Sequence, residues 1–207
     1  MSIARFDKQA QEWDKNPQHL ERSKKVATTM MKLCPTLNGR ALEFGAGTAI
    51  LSFLLRESFN EIVMIDNSHE MVNVMTRKVE HAHEQERMKP MFFNLDEENW
   101  TGEPFDVVFT QMVLHHVPDT FKILKRFAAM LKPGGRLFIA DLHSEDGTFH
   151  DDEFSGHNGF DLNELTKLLY KASFIDITHE NAFVVEKMRK NTLRHYDGFL
   201  LMAQKES

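Results

Sequence analysis

A glycine-rich turn, a spaced carboxylate and a pair of histidines carry the chemistry this sequence can do. Glu43-Phe44-Gly45-Ala46-Gly47-Thr48-Ala49 follows a short apolar run and precedes a segment with helical spacing. Glycines in such a turn let backbone approach a ligand with no Cβ in the way, and the helix behind it offers unpaired N–H groups. Asp66 lies 21 residues after Gly45, at the end of a β-branched run. An acid there can accept hydrogen bonds from both ribose hydroxyls of a nucleoside cofactor. A dinucleotide fingerprint wants Gly or Ala at its sixth position. Counted from Gly45, that residue is the bulky Ile50. Glu43 is likewise poorly suited to a pyrophosphate, but it suits a ligand bearing an ammonium and a sulfonium.

Histidines supply the remaining candidates. His115 and His116 follow the fourth apolar run, where one of them can act as a base or orient an acceptor. The plainer alternative is a pair of loop histidines held by backbone carbonyls. His143, His150 and His157 recur every seven residues within 141–164, a stretch with eight acids and no Lys or Arg. Imidazoles and carboxylates can bind a divalent ion, but this aperiodic, glycine-containing segment reads as a solvated loop. No metal site is expected. Cys34, before Pro35, lacks the neighbours that mark an activated thiol and reads as structural.

The elements that must position these residues alternate along the chain. Strands are expected at 40–45, 61–66, 90–94, 105–111 and 135–142, with helices at 50–58, 68–82 and 120–132 between them. Pro133-Gly134-Gly135 should stop the last of these helices. Such alternation reads as βαβ units winding a mostly parallel sheet with helices on both faces. A helix with Asp161 as N-cap is expected over 161–172, then two closing strands at 174–188 and 197–206 joined by the polar 189–196 segment. Residues 1–36 read as a helical appendage to one domain, 1–207, whose core is 37–207. In that appendage Phe6, Trp13, Leu20, Val26, Ala27 and Met30 form a partly amphipathic face.

Composition narrows the class. The chain has 207 residues and a net charge of −6, which argues against a phosphate-neutralising nucleic-acid surface. No apolar run approaches the ~18 residues of a membrane span. The charged N-terminus lacks the apolar core of a signal peptide, so a cytoplasmic protein is expected. A single cysteine allows no intrachain disulfide.

Glu43-x-Gly45-x-Gly47-x-Ala49, Asp66, Leu95-Asp96, FDVVFTQMVLHHVPD (105–119) and LKPGGRLFIADL (131–142) together resemble the motifs of class I S-adenosylmethionine-dependent methyltransferases. FDKQAQEWDKN and GHNGFD most resemble the small-molecule, quinone-biosynthesis-like branch. The resemblance implies a Rossmann-like, doubly wound α/β fold. Its seven-stranded, mostly parallel sheet would have strand order 3-2-1-4-5-7-6, with strand 7 antiparallel. It implies S-adenosyl-L-methionine as cofactor and S-adenosyl-L-homocysteine as product. Glu43, Gly45, Ala46, Gly47, Asp66, Asn67, Met71, Leu95, Asp96, Gln111 and Trp13 would contact the cofactor. Asp96 would take the exocyclic amine of adenine, and the N-terminal segment would fold over the site as a lid. His116 and His115 are the catalytic candidates. Ala49 replaces the motif's usual third glycine, which is tolerable if its φ is negative. Amino-methyltransferases acting on nucleic-acid bases usually carry Asn/Asp-Pro-Pro-aromatic where this chain has Thr110-Gln111-Met112-Val113. The expected partner is therefore a small-molecule acceptor, not nucleic acid. Two alternatives stay open: a nicotinamide-dependent oxidoreductase on a similar sheet, and a non-catalytic module that only binds S-adenosylmethionine.

Overall fold

The structure is a computed structural model that describes residues 3–150 and 154–207, with no side-chain description for residues 3–5. Asp151, Asp152 and Glu153 of the acidic stretch lie outside the described residues. Seven strands form one sheet in the order β3-β2-β1-β4-β5-β7-β6. They are β1 (Arg40–Phe44), β2 (Glu61–Asp66), β3 (Met88–Phe92), β4 (Phe105–Gln111), β5 (Leu131–Leu142), β6 (Phe174–Arg189) and β7 (Thr192–Lys205). The first five pair in parallel, and β7 runs antiparallel to both β5 and β6. The doubly wound α/β fold expected from the resemblance is therefore present, strand order included.

Apolar strand runs follow from burial on both faces. In β2, Ile62, Val63, Met64 and Ile65 are all buried. One face is covered by α2 (Pro17–Leu33), α3 (Ile50–Leu55) and α4 (His69–His81), which contribute Val26, Met30, Leu51, Met75 and Val79 to the core. The other is covered by α5 (Thr120–Met130) and α6 (Leu162–Lys171), through Ile123, Leu124, Phe127, Leu165 and Leu169. Short polar residues start the helices as N-caps. Asn16, Ser68, Asp119 and Asp161 each accept a hydrogen bond from a first-turn backbone N–H.

The N-terminal segment is broken rather than one helix. A short α1 (Ile3–Gln9) and a 3₁₀ turn (Ala10–Lys15) precede α2. Pro17 lacks an N–H and is tolerated at the first position of α2, so the break falls at Asn16-Pro17. Val26, Ala27 and Met30 join the core, whereas Leu20 is 40% exposed. Cys34 is buried beside the Arg136 guanidinium, whose Nη1 donates to Sγ at 2.5 Å.

Several boundaries move. β3 runs two residues earlier than the run at 90–94 suggests. α5 ends at Met130, because Leu131 is already extended and pairs with Phe105. The polar 189–196 segment is not a connection. Arg189 pairs with Thr192, and only Lys190-Asn191 form the turn, both at positive φ. An edge hairpin open to water needs no apolar outer face, which is why polarity misleads there. Among the described residues, no helix is long and apolar enough to cross a membrane.

Candidate functional site

Strand order reverses between β1 and β4, and open α/β sheets bind ligands beyond the carboxyl ends of strands at such a point. A cavity of about 520 Å³ opens there. It is lined by the Gly45–Thr48 turn, Asp66, Asn67 and Met71, by Leu95 and Asp96, and by Gln111, His115 and His116. Glu43, Trp13 and Phe6 also line it, so every site residue expected from sequence borders one space.

The glycine turn is shaped by two close approaches. A Cβ on Gly45 would lie 2.5 Å from the Val113 side chain, which packs over the turn from the loop after β4. A Cβ on Gly47 would meet only Met71 Sδ, at 4.0 Å, and would otherwise project into open space. Both glycines have positive φ. So does Ala49, at 63°, so the negative φ expected to make alanine tolerable there is not adopted. An alanine Cβ in the left-handed region is strained by about 1–2 kcal/mol. The turn still places Ala49 N on Ala46 O at 2.8 Å, and Ala49 is fully buried.

Carboxylates line the turn side of the cavity. Asp66 Oδ2 accepts from Gly47 N at 2.8 Å, and its Oδ1 accepts from Ser68 N at 2.8 Å. Each carboxylate oxygen has a second lone pair free for a ligand hydroxyl. Burial raises the Asp66 pKa, against the lowering effect of the Ser68, Gly47 and Asn67 N–H groups. Asp96 is also raised by burial, with Lys122 and Arg126 opposing. Glu43 is 3% exposed, and burial pushes its pKa to about 8 despite a hydrogen bond donated by the Ser52 hydroxyl. Gln111 Nε2 donates to Ser23 Oγ at 2.9 Å, leaving Gln111 Oε1 buried with no hydrogen-bond partner among the described residues.

Sequence reasoning missed three features. Arg22 lines the cavity, and burial lowers its pKa to about 10 against the opposing charge of Asp141. It lies four residues before Val26 and eight before Met30, on the buried face of α2, which is the signal that could have found it. Asp14 accepts from Thr48 Oγ1 at 2.5 Å and pairs with Lys78 at 2.7 Å. Asp7 accepts from Ser68 Oγ at 2.6 Å. Two acids on the N-terminal segment thus fasten it to the glycine turn and to the start of α4. Trp13 packs on His19 with ring centroids 4.3 Å apart, and Phe6 meets His116 edge-on at 5.5 Å.

The third feature is Asp141, fully buried at the end of β5. Its Oδ1 accepts from His115 Nδ1 at 2.6 Å, and its Oδ2 from His115 N at 3.2 Å. His143 and His157 are engaged elsewhere. His143 Nε2 lies 2.9 Å from Asn181 Oδ1, and His157 Nε2 is 2.9 Å from Val117 O. Of that seven-residue series only His150 lines the cavity.

Comparison with known proteins places this geometry. A family profile described as "Methyltransferase domain" matches residues 15–187. An uncharacterized methyltransferase of Schizosaccharomyces pombe is 33% identical over 165 residues, covering 72% of this chain and 56% of that protein. The ubiquinone biosynthesis O-methyltransferase of Coxiella burnetii is 29% identical over 149 residues, covering 68% of this chain and 61% of that protein. The chain thus spans little more than half the length of these relatives. A phosphoethanolamine N-methyltransferase of Haemonchus contortus, solved with phosphomonomethylethanolamine and S-adenosylhomocysteine, shares the fold at TM-score 0.72 and 19% identity. That likeness covers 89% of this chain and 52% of the other.

Proposed function

The chain belongs to the methyltransferase-domain family, the class I S-adenosylmethionine-dependent methyltransferases. From that membership we propose that it transfers a methyl group from S-adenosylmethionine to a small-molecule acceptor and releases S-adenosylhomocysteine. The observation that carries this reading is one cavity lined both by a cofactor cradle and by paired histidines. The cradle fits on its own chemistry: a Cβ on Gly47 would enter the space a ligand needs, and Asp66 keeps lone pairs for ribose hydroxyls. Asp96, with Leu95 beside it, would hold the adenine. Glu43 and Gln111 Oε1, which has no partner among the described residues, would take an ammonium, and the Arg22 guanidinium a carboxylate.

When bound, S-adenosylmethionine supplies a methyl group already activated by a positively charged sulfur. The protein therefore has to align the acceptor and exclude water, which can contribute about 7–11 kcal/mol to lowering the barrier. Phe6 and Trp13, held over the crevice through Asp7 and Asp14, would exclude water and bound the acceptor pocket. His115 and His116 would orient the acceptor and take its proton where the acceptor atom carries one. Relatives named as ubiquinone biosynthesis O-methyltransferases support a small organic acceptor. So does the partly aromatic wall formed by Phe6, Trp13 and Phe149.

The test is release of S-adenosylhomocysteine from S-adenosylmethionine across a panel of phenols, amines and thiols. Acceptor-dependent release that disappears in Asp66→Ala is expected. Release with nucleic acid or protein acceptors but with none of the small molecules would overturn the acceptor class.

A further inference from the structure

Three histidines from two separate elements converge on the cavity wall. His115 and His116 sit on the 3₁₀ turn after β4, and His150 comes from the loop after β5. Their ring centroids are 4.1, 5.1 and 5.2 Å apart, and one ring nitrogen of each lies within 4.8 Å of the others. We propose that His115, His116 and His150 bind one divalent transition-metal ion, for which zinc has the best-matched chemistry.

Two observations beyond proximity point to an ion. His115 is 1% exposed, and its Nδ1 proton is committed to the buried Asp141 carboxylate. In the neutral ring Nε2 is then the lone-pair nitrogen; it is buried with the rest of the ring and has no hydrogen-bond partner among the described residues. An imidazole fixed by a carboxylate on one nitrogen, with its other nitrogen aimed at neighbouring imidazoles, is the arrangement that orients metal-binding histidines. The donor set selects the metal: three imidazoles suit zinc and its neighbours, whereas magnesium and calcium want oxygen. Tetrahedral ligation at about 2.0–2.1 Å needs nitrogens roughly 3.4 Å apart. Binding an ion therefore requires the His116 and His150 side chains to shift inward from their present spacing.

Three protein ligands leave a fourth position open, and all three histidines line the cavity, so that position faces it. The ion does not depend on the methyl-transfer reading; only its fourth ligand, the acceptor's oxygen, nitrogen or sulfur, rests on it. In the metal-loaded protein the imidazoles act as ligands rather than as proton acceptors.

The experiment strips the full-length protein with a chelator, then titrates Zn²⁺ against a chromophoric competitor and Co²⁺ by visible ligand-field absorption. One equivalent per chain is expected, with the absorption of four-coordinate cobalt. His150→Phe preserves the ring that stacks on Phe154 at 3.7 Å but removes a ligand. It should abolish the cobalt spectrum and weaken Zn²⁺ by at least about 100-fold. Asp141→Asn leaves all three ligands in place and should weaken Zn²⁺ by about 10–100-fold. S-adenosylhomocysteine affinity is measured on the same samples, so loss of the fold and failure of the cofactor reading are both seen separately. Less than one equivalent bound by wild type, or His150→Phe binding Zn²⁺ as wild type does, would overturn the proposal.

Discussion

Replacing Glu43 by Gln should change how the ligand-free protein's stability depends on pH. Glu43 is buried on β1, and its carboxyl ionises at about 8 instead of near 4.5. A proton is therefore taken up on folding and lost on unfolding over the whole interval between those values. A folded-state pKa raised above the unfolded one gives stability that is fully present below pH 4.5 and is lost as pH rises through about 8. The slope is about −1.4 kcal/mol per pH unit, so the loss across the interval is about 4–5 kcal/mol. Glutamine has nearly the same shape, stays neutral, and can still accept from Ser52. Urea unfolding of both proteins between pH 5.5 and 7.5 should show the wild type losing about 2.5 kcal/mol more than Glu43→Gln. The same carboxyl must ionise to pair with an ammonium, so S-adenosylhomocysteine should bind tighter as pH rises toward 8, with proton release. Parallel stability profiles for the two proteins would refute the buried, protonated Glu43.

Three further perturbations probe separate parts of the site. Ala49→Val places a β-branched side chain at φ 63° in a fully buried position and should destabilise by at least about 2 kcal/mol in urea unfolding, whereas Ala49→Gly should stay within about 1 kcal/mol of wild type. S-adenosylhomocysteine should slow amide exchange across residues 3–16, and Asp14→Ala, which cuts the ties to Thr48 and Lys78, should speed it in the empty protein. Equal exchange with and without ligand would make that segment a packing element. His116→Gln should lower kcat by about 100-fold or more while calorimetric affinity for S-adenosylhomocysteine holds within a few-fold.

The sheet was legible because its strands are buried on both faces and so read as continuous apolar runs ending in Gly45, Asp66 or Gln111. The cofactor side of the site was legible for a related reason: its residues sit on short turns tied to strand ends, so sequence spacing maps onto space. The histidine cluster was not. Periodicity grouped His143, His150 and His157, but a loop has no fixed period, and the chain brings only His150 to His115 and His116. Arg22, Asp7 and Asp14 were passed over because charges on a helix usually face water. Here tertiary packing turns them toward the cavity and the glycine turn. The hairpin at Lys190-Asn191 hid behind its own polarity, since an exposed edge pair carries no core signal.

The central claim is that the cleft between β1 and β4 is a nucleoside-sulfur cofactor site read by Asp66. Calorimetric titration of S-adenosylhomocysteine into the wild-type protein and into Asp66→Ala tests it most directly. Loss of two neighbouring charge-assisted hydrogen bonds, whose contributions do not add and total about 1.5–4 kcal/mol, should weaken binding by about 10–1000-fold. The variant should keep the wild-type fold, and NAD should give no heat with either protein. Unchanged S-adenosylhomocysteine affinity in a folded Asp66→Ala protein, or NAD binding in its place, would contradict the account.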